Sequence, residues 1–226
     1  MHRRTLEGRR RHESAARPTS TSEASSVNTL SPGFHGHTRP RSDRLPPGQY
    51  PTEQFPVLSA GPTPDIPTSA WEFALTGTDG ERLRTWDWTG FGDLPQEEPT
   101  VDIHCVTRWT KWDTSWCGVS VDVLLEGVDT SASHVMAESY GGYTTNLPLA
   151  DLTGGKAWIV HTFDGLPLPP EHGGPARLLV PHLYFWKSAK WVSGLRLLDR
   201  DEPGFWESVG YHMYGDPWHE QRNRSD

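Results

Sequence analysis

Cysteine is nearly absent from this chain: there are two in 226 residues, Cys105 and Cys117, and no C-x-x-C pair. That excludes a disulfide scaffold and leaves two free thiols in a reducing compartment as the simplest reading. Lysine is almost as scarce, occurring at Lys111, Lys156, Lys187 and Lys190, and the net charge is −8. A general nucleic-acid binder needs a broad cationic surface, so no nucleic-acid partner is expected. No run of eighteen apolar residues occurs, so no membrane span is expected. Neither Arg3-Arg4 nor Arg9 to Arg11 leads into an apolar export-signal stretch, so the expected location is cytoplasmic. G-x-G-x-x-G and the P-loop pattern are both missing, which leaves a nucleotide-binding fold unsupported.

What is present is unevenly spread. Residues 1–44 carry nine Arg against four acidic residues, whereas all eleven Trp lie at or after Trp71. A disordered basic tail is expected over 1–43, because so few apolar residues cannot repay the entropy of ordering. One domain is expected over 44–226. Its first part, from Arg44 to Trp71, is too rich in Pro and Gly for regular helix and reads as an extended segment laid over the surface. Leu45, Phe55, Val57 and Leu58 are its apolar anchors.

Beyond it, strands are expected at Trp71–Thr76, Thr100–Cys105, His134–Ser139, Ala157–Phe163, Arg177–Val180 and Trp191–Leu198. Ser120 can cap a helix over Val121, Leu124, Leu125 and Val128, spaced for one buried face, with Gly127 near its end. Brief helical turns are expected within Trp86–Leu94, at Leu149–Leu152 and at Phe205–Val209. The fold class is therefore α+β, a mixed, strand-rich single domain with short helices.

Two stretches carry chemistry. The first is VDIHCVTRWTKWDTSWCGV, Val101 to Val119. Its alternation runs as far as Cys105 and then breaks into an aromatic, cationic run with Arg108, Trp109, Lys111, Trp112 and Trp116. A buried small hydrophobe is one reading of Cys105. A thiolate stabilised by Arg108 and Lys111 is the other, and a thiolate either attacks or binds metal. His104 points to the opposite strand face and cannot act as its base. Zinc held by His104, Cys105 and Cys117 fits no usual ligand spacing, whereas a single thiolate on a metal held mainly by another group suits the composition.

The second stretch is HGGPARLLVPHLYFWKSAKW, His172 to Trp191. A Gly-rich turn, Arg177, Ser188, Lys190 and the neighbouring Lys187 converge as an anion cradle of the kind that holds a phosphate.

IHCVTRW, W-C-G-V, HGGPARLLVP and FWKSAKW, in that order, resemble the molybdopterin domain of the sulfite oxidase family. The likeness covers roughly Arg44 to Arg222 and is closest to the stand-alone bacterial members, of the type of the catalytic subunit of periplasmic methionine sulfoxide reductase. The resemblance implies a sulfite oxidase-type fold and a molybdopterin cofactor whose metal takes Cys105 as its one protein ligand. It implies that Ser139, His172, Arg177, Ser188, Ala189 and Lys190 hold the pterin and its phosphate, and that Cys105 and Arg108 are the candidate catalytic residues. It further implies two-electron oxygen-atom transfer on a small substrate (a sulfoxide, N-oxide or oxoanion), without haem or flavin, by a monomer that exchanges electrons with a separate partner. The alternative is a non-catalytic molybdopterin-binding or carrier protein of the same fold. Where sulfite oxidases carry Arg-Asn-His, this chain has Leu58, Ser59 and Ala60, which argues against sulfite as the substrate.

Overall fold

The computed structural model describes residues 41–226. The tail expected over 1–43 lies outside the described residues except for its last three positions. Two sheets make the body. The first has six strands: β1 (Tyr50–Pro51), β4 (Thr100–His104), β5 (Trp109–Ser120), β8 (Trp158–Phe163), β9 (Leu166–Pro167) and β10 (Arg177–Leu179). Its path runs β1-β5-β8-β10, with β4 on β5 and β9 on β8. The second, ordered β3-β2-β11-β6-β7, is built from β2 (Glu72–Thr76), β3 (Arg82–Asp87), β6 (His134–Ser139), β7 (Thr144–Pro148) and β11 (Val192–Leu198). This is the strand-rich α+β architecture expected from the pattern.

The six-stranded sheet buries both faces, and the alternation along its strands shows how. Ile159 and Leu178 join Phe73, Leu75, Val135, Leu147 and Leu195 of the other sheet in the main core. Their neighbours Trp158, Val160 and Leu179 point the other way, into a smaller cluster with Ile103, Cys105, Trp109, Trp116 and Phe185. A strand with period 2 serves two cores in this way. The second cluster is the floor of the site.

Three short helices fill the corners: α1 (Trp88–Gly92), α2 (Val121–Leu125) and α3 (Phe205–Ser208). The Ser120 hydroxyl caps α2 through the Asp122 N–H, as expected, and the Asp87 carboxylate caps α1 through Gly90.

The segment before β2 is extended, and β1 pins it to β5 in parallel. Arg44 ties its start by ion pairs to Asp102 and Asp113. Two of its four expected anchors fail, because Val57 and Leu58 are each 49% exposed. Phe55 alone enters the aromatic floor; beyond it the segment is a strap whose side chains edge the cleft.

Candidate active site

β4 delivers Cys105 to a tight hairpin rather than to a loop. The Arg108 N–H donates to the Cys105 carbonyl at 2.9 Å, and the Cys105 N–H donates to the Trp109 carbonyl at 2.8 Å. Arg108, at φ 78°, takes the left-handed position that closes a three-residue hairpin. The strand then resumes at once as β5. Its alternation is hidden by a bulge near Asp113 (φ 52°); the register shift opposite Cys117 and Gly118 puts its extra residue, His161, on β8 instead. The bulge near Asp113 reverses the facing of the residues beyond it, which is why Trp109 and Trp116 share one cluster although seven positions separate them.

The Cys105 thiol is 6% exposed and lies 3.1 Å from the Thr107 hydroxyl. Burial pushes its pKa up, and the nearby Lys190 charge opposes that shift. The cations expected to stabilise a thiolate are not the ones in place. Arg108 is exposed and outside the cleft lining, and Lys111 donates instead to the Glu53 carbonyl at 2.8 Å. The positive charge reaches Cys105 from Lys190 and Arg177. His104 turns away as expected. It is buried against the Thr110 hydroxyl at 2.9 Å, and desolvation lowers its pKa to about 4.

The glycines of HGGP have steric reasons. A Cβ on Gly174 would stand 2.0 Å from the Leu168 carbonyl oxygen, and one on Gly173, at φ 110°, would crowd Arg177 and Lys190 at 3.1 Å. Only bare backbone lets the His172 turn pack against the strand start and against Lys190. Arg177, 1% exposed, donates to the carbonyls of His172 at 2.7 Å and Ser188 at 2.6 Å, and its guanidinium lies 4.0 Å over the Phe185 ring. Lys190 donates to the carbonyls of Leu58 and Glu171, each at 2.7 Å. The Ser188 hydroxyl accepts from the Val180 N–H at 2.9 Å.

These groups open on one cleft of about 580 Å³, lined among others by Cys105, His172, Arg177, Ser188 and Lys190. Five of the expected site residues thus converge. Ala189 and Ser139 do not line it. Ala189 packs in the main core, and Ser139 is buried at the end of β6, where its N–H begins the Tyr140–Tyr143 turn that does line the cleft. Lys187 leaves the cradle altogether: it is fully buried and pairs with Glu207 at 2.6 Å. Of the three tryptophans after Cys105, only Trp109 lines the cleft.

The sequence reading missed the closing wall. Phe205, Trp206 and Tyr211 line the cleft from the C-terminal segment. The Tyr211 phenol is pushed up first by burial and then by its proximity to Cys105, so it keeps its proton at neutral pH and can donate a hydrogen bond. No local pattern marks Tyr211, since a distant tertiary path brings it there.

The cleft asks for an anion. Arg177 is a fully buried cation that meets carbonyls and the rings of Phe185 and Trp116, and among the described residues no carboxylate pairs with it. Desolvation lowers its pKa to about 9, and Lys190 falls to about 8 for the same first reason, with Arg177 adding to it. Burying an unpaired charge is costly, and an incoming anion offsets that cost. Two residues that line the cleft carry buried polar atoms without partners, Trp109 Nε1 and His172 Nδ1. A ring-bearing phosphate ester rich in heteroatoms suits these donors and this volume. The donor set therefore fits a molybdopterin, and Cys105 brings a thiol to the same cleft; among the described residues no three His, Cys, Asp or Glu side chains gather as a metal site.

Residues 60–206 match the model of the oxidoreductase molybdopterin-binding domain. The chain is 42% identical over 195 residues to an uncharacterized oxidoreductase, YuiH, of Bacillus subtilis, covering 84% of this chain and 98% of that protein. It is 28% identical over 138 residues to the protein-methionine-sulfoxide reductase catalytic subunit MsrP of Gluconobacter oxydans, covering 53% and 44%. Among solved structures, the sulfane dehydrogenase SoxCD of Paracoccus pantotrophus superposes with a TM-score of 0.54 at 20% identity, over 61% of this chain and 40% of that one. The chain thus spans nearly all of the Bacillus protein and less than half of the other two.

Proposed function

Because the chain belongs to the oxidoreductase molybdopterin-binding domain family, we propose that it performs two-electron oxygen-atom transfer on a small substrate in the cleft beside Cys105. The observation that carries this reading is that one cleft holds both a buried thiol and a buried guanidinium without a counter-charge. When bound, the molybdenum centre supplies the redox step and the site of oxygen exchange.

The chain's residues do the rest. Arg177, Lys190, Ser188 and the His172 turn hold the pterin and its phosphate, releasing the carbonyls they hold in the free protein. Cys105 gives up its proton to become the metal's protein ligand, which ties loading to proton release. Tyr211 donates a hydrogen bond to the substrate oxygen, and Trp109, Trp206 and Phe205 keep water out.

The cleft favours a neutral substrate such as a sulfoxide or N-oxide over an oxoanion. Leu58, Val106, Phe205 and Trp206 line it, Arg108 does not, and Arg177 and Lys190 are committed to the cofactor. A separate protein exchanges electrons with the centre, a reading supported by the relative named as a catalytic subunit.

The test is to purify the protein from a molybdenum-replete host, measure its metal, reduce it chemically and screen sulfoxides, N-oxides and oxoanions for reoxidation. Near-stoichiometric molybdenum and turnover of at least one neutral oxide are expected. Absence of molybdenum, or the same metal content in Cys105→Ala, would sink the proposal.

A further inference from the structure

The buried pair of Lys187 and Glu207 has no part in holding an anion, yet it is the most fully desolvated ion pair among the described residues, at 0% exposure on both sides. Replacing such a pair by apolar residues is often neutral or stabilising, so stability alone does not account for it. Its connections suggest what does.

Lys187 Nζ donates to the Met213 carbonyl at 2.6 Å and to the Asn146 carbonyl and side-chain oxygen at 2.7 and 2.9 Å. Glu207 Oε1 accepts from the Trp186 indole and the Thr145 hydroxyl, each at 2.9 Å. The two residues gripped in the C-terminal segment, Glu207 and Met213, bracket Tyr211 from both sides. The Tyr211 ring itself is held only by packing: stacked on Trp206 (4.9 Å, 22°) and edge-on to the same Trp186 (5.1 Å, 82°) that Glu207 fixes. Its N–H donates to the Trp206 carbonyl at 3.0 Å. No side-chain hydrogen bond among the described residues sets the direction of the phenol.

We propose that Lys187 and Glu207 are positioning residues for the reaction: the clamp they form across Trp186 and Met213 sets where Tyr211 stands in the cleft. This rests on the role of Tyr211 in the proposed oxygen-atom transfer, but the clamp can be read without it. The span between the gripped points includes Gly210, at φ 115°, and an exposed Val209; its backbone is tied to the chain end, Arg224 N–H donating to the Gly210 carbonyl at 3.0 Å and His212 N–H to the Arg222 carbonyl at 3.2 Å, while the clamp ties it to Asn146 and Trp186. Directional contacts to the Glu207 carboxylate and the Met213 carbonyl locate a loop in a way that apolar filling cannot.

The test labels the cofactor-free protein with 3-fluorotyrosine and assigns the Tyr211 fluorine line by its loss in Tyr211→Phe. The wild type should give one Tyr211 line. K187M/E207L, or K187M/E207Q should the apolar pair fail to fold, should keep a cooperative melt yet give a shifted or split Tyr211 line. Amide exchange over residues 205–213 should rise about tenfold. E207Q, which keeps the hydrogen bonds, should restore the wild-type line. A folded clamp-free variant with an unchanged Tyr211 line and unchanged exchange overturns the proposal, whatever its melting temperature. Because these readouts need neither molybdenum nor substrate, their failure is distinct from failure of the metal and turnover test.

Discussion

The Phe55 ring lies flat on the His172 imidazole, with centroids 3.9 Å apart and planes 13° from parallel. The same ring meets Trp109, Trp116, Phe163 and Phe185 at 5.0 to 6.2 Å. One residue therefore seats the strap, orders the turn that leads into Arg177, and caps the aromatic floor. Phe55→Ala should destabilise the fold by about 2 kcal/mol, less than the full cost of a core Phe because the ring is half-buried. It should also speed amide exchange across 52–64. A melt within a degree of wild type would show that the stack does not hold the strap.

How much of this could be read from the chain depends on whether a residue's neighbours are local. β2 and β4 were legible because apolar and polar residues alternate along them, and β8 because it is an apolar run closed by the Asp164-Gly165 turn. β5 was not, since the bulge near Asp113 breaks the alternation and makes a twelve-residue strand look like an aromatic loop. β7 hid behind Thr144, Thr145 and Asn146, polar residues buried by partners that the sequence does not name. The convergence of the His172 turn, Arg177, Ser188 and Lys190 on one cleft was legible because the glycines and the strand between them bring two loops together, although a solvated strand end with surface lysines reads equally well from the residues alone. Lys187 deceived, three positions from Lys190 and alike in charge, because its carboxylate partner Glu207 lies twenty residues on.

The cradle makes a pH prediction. In the cofactor-free protein Lys190 has its pKa lowered to about 8, below the unfolded value, so between the two the unfolded chain binds more protons. From this group, stability should rise as pH climbs from about 8 toward the ordinary lysine range. Anion binding should run the other way, since it needs the charged amine. Inorganic pyrophosphate should raise the melting temperature more at pH 7 than at pH 9, and K190M should abolish that difference. R177M should abolish the stabilisation at both pH values, by the linkage that ties ligand binding to stability. An equal pyrophosphate shift in R177M and wild type would show that the anion binds elsewhere.

Cys105 makes a second one. Burial raises its pKa above the ordinary thiol value, so the unloaded protein presents a protonated, shielded group. Iodoacetamide should modify Cys105 slowly at neutral pH and appreciably only in the alkaline range, with Cys117, which is less buried, reacting first. Loading the cofactor should block Cys105 and leave Cys117 reactive, read by mass spectrometry of the two peptides. Rapid neutral-pH alkylation of Cys105 would instead favour a nucleophilic thiol.

Tyr211→Phe removes one hydroxyl from the cleft and leaves the stack on Trp206 in place. Molybdenum content should be unchanged and kcat should fall on the order of a hundredfold, within the range that a positioned proton donor contributes. An unchanged kcat would remove Tyr211 from the reaction.

Arg108 carries the opposite expectation. Its position after Cys105 suggests an oxoanion contact, but its backbone sits at φ 78° and its side chain is exposed at the hairpin tip, outside the cleft lining. The residue is there as the left-handed member of the hairpin, a place that glycine fills with less strain. Arg108→Gly should therefore stabilise the protein by about 0.5–1 kcal/mol, the usual gain where glycine relieves a left-handed residue. Metal content and kcat should stay within about twofold, since surface changes away from a site perturb little. A large loss of kcat with full metal content would show that Arg108 reaches the substrate in the loaded enzyme, and would restore a charged substrate to consideration.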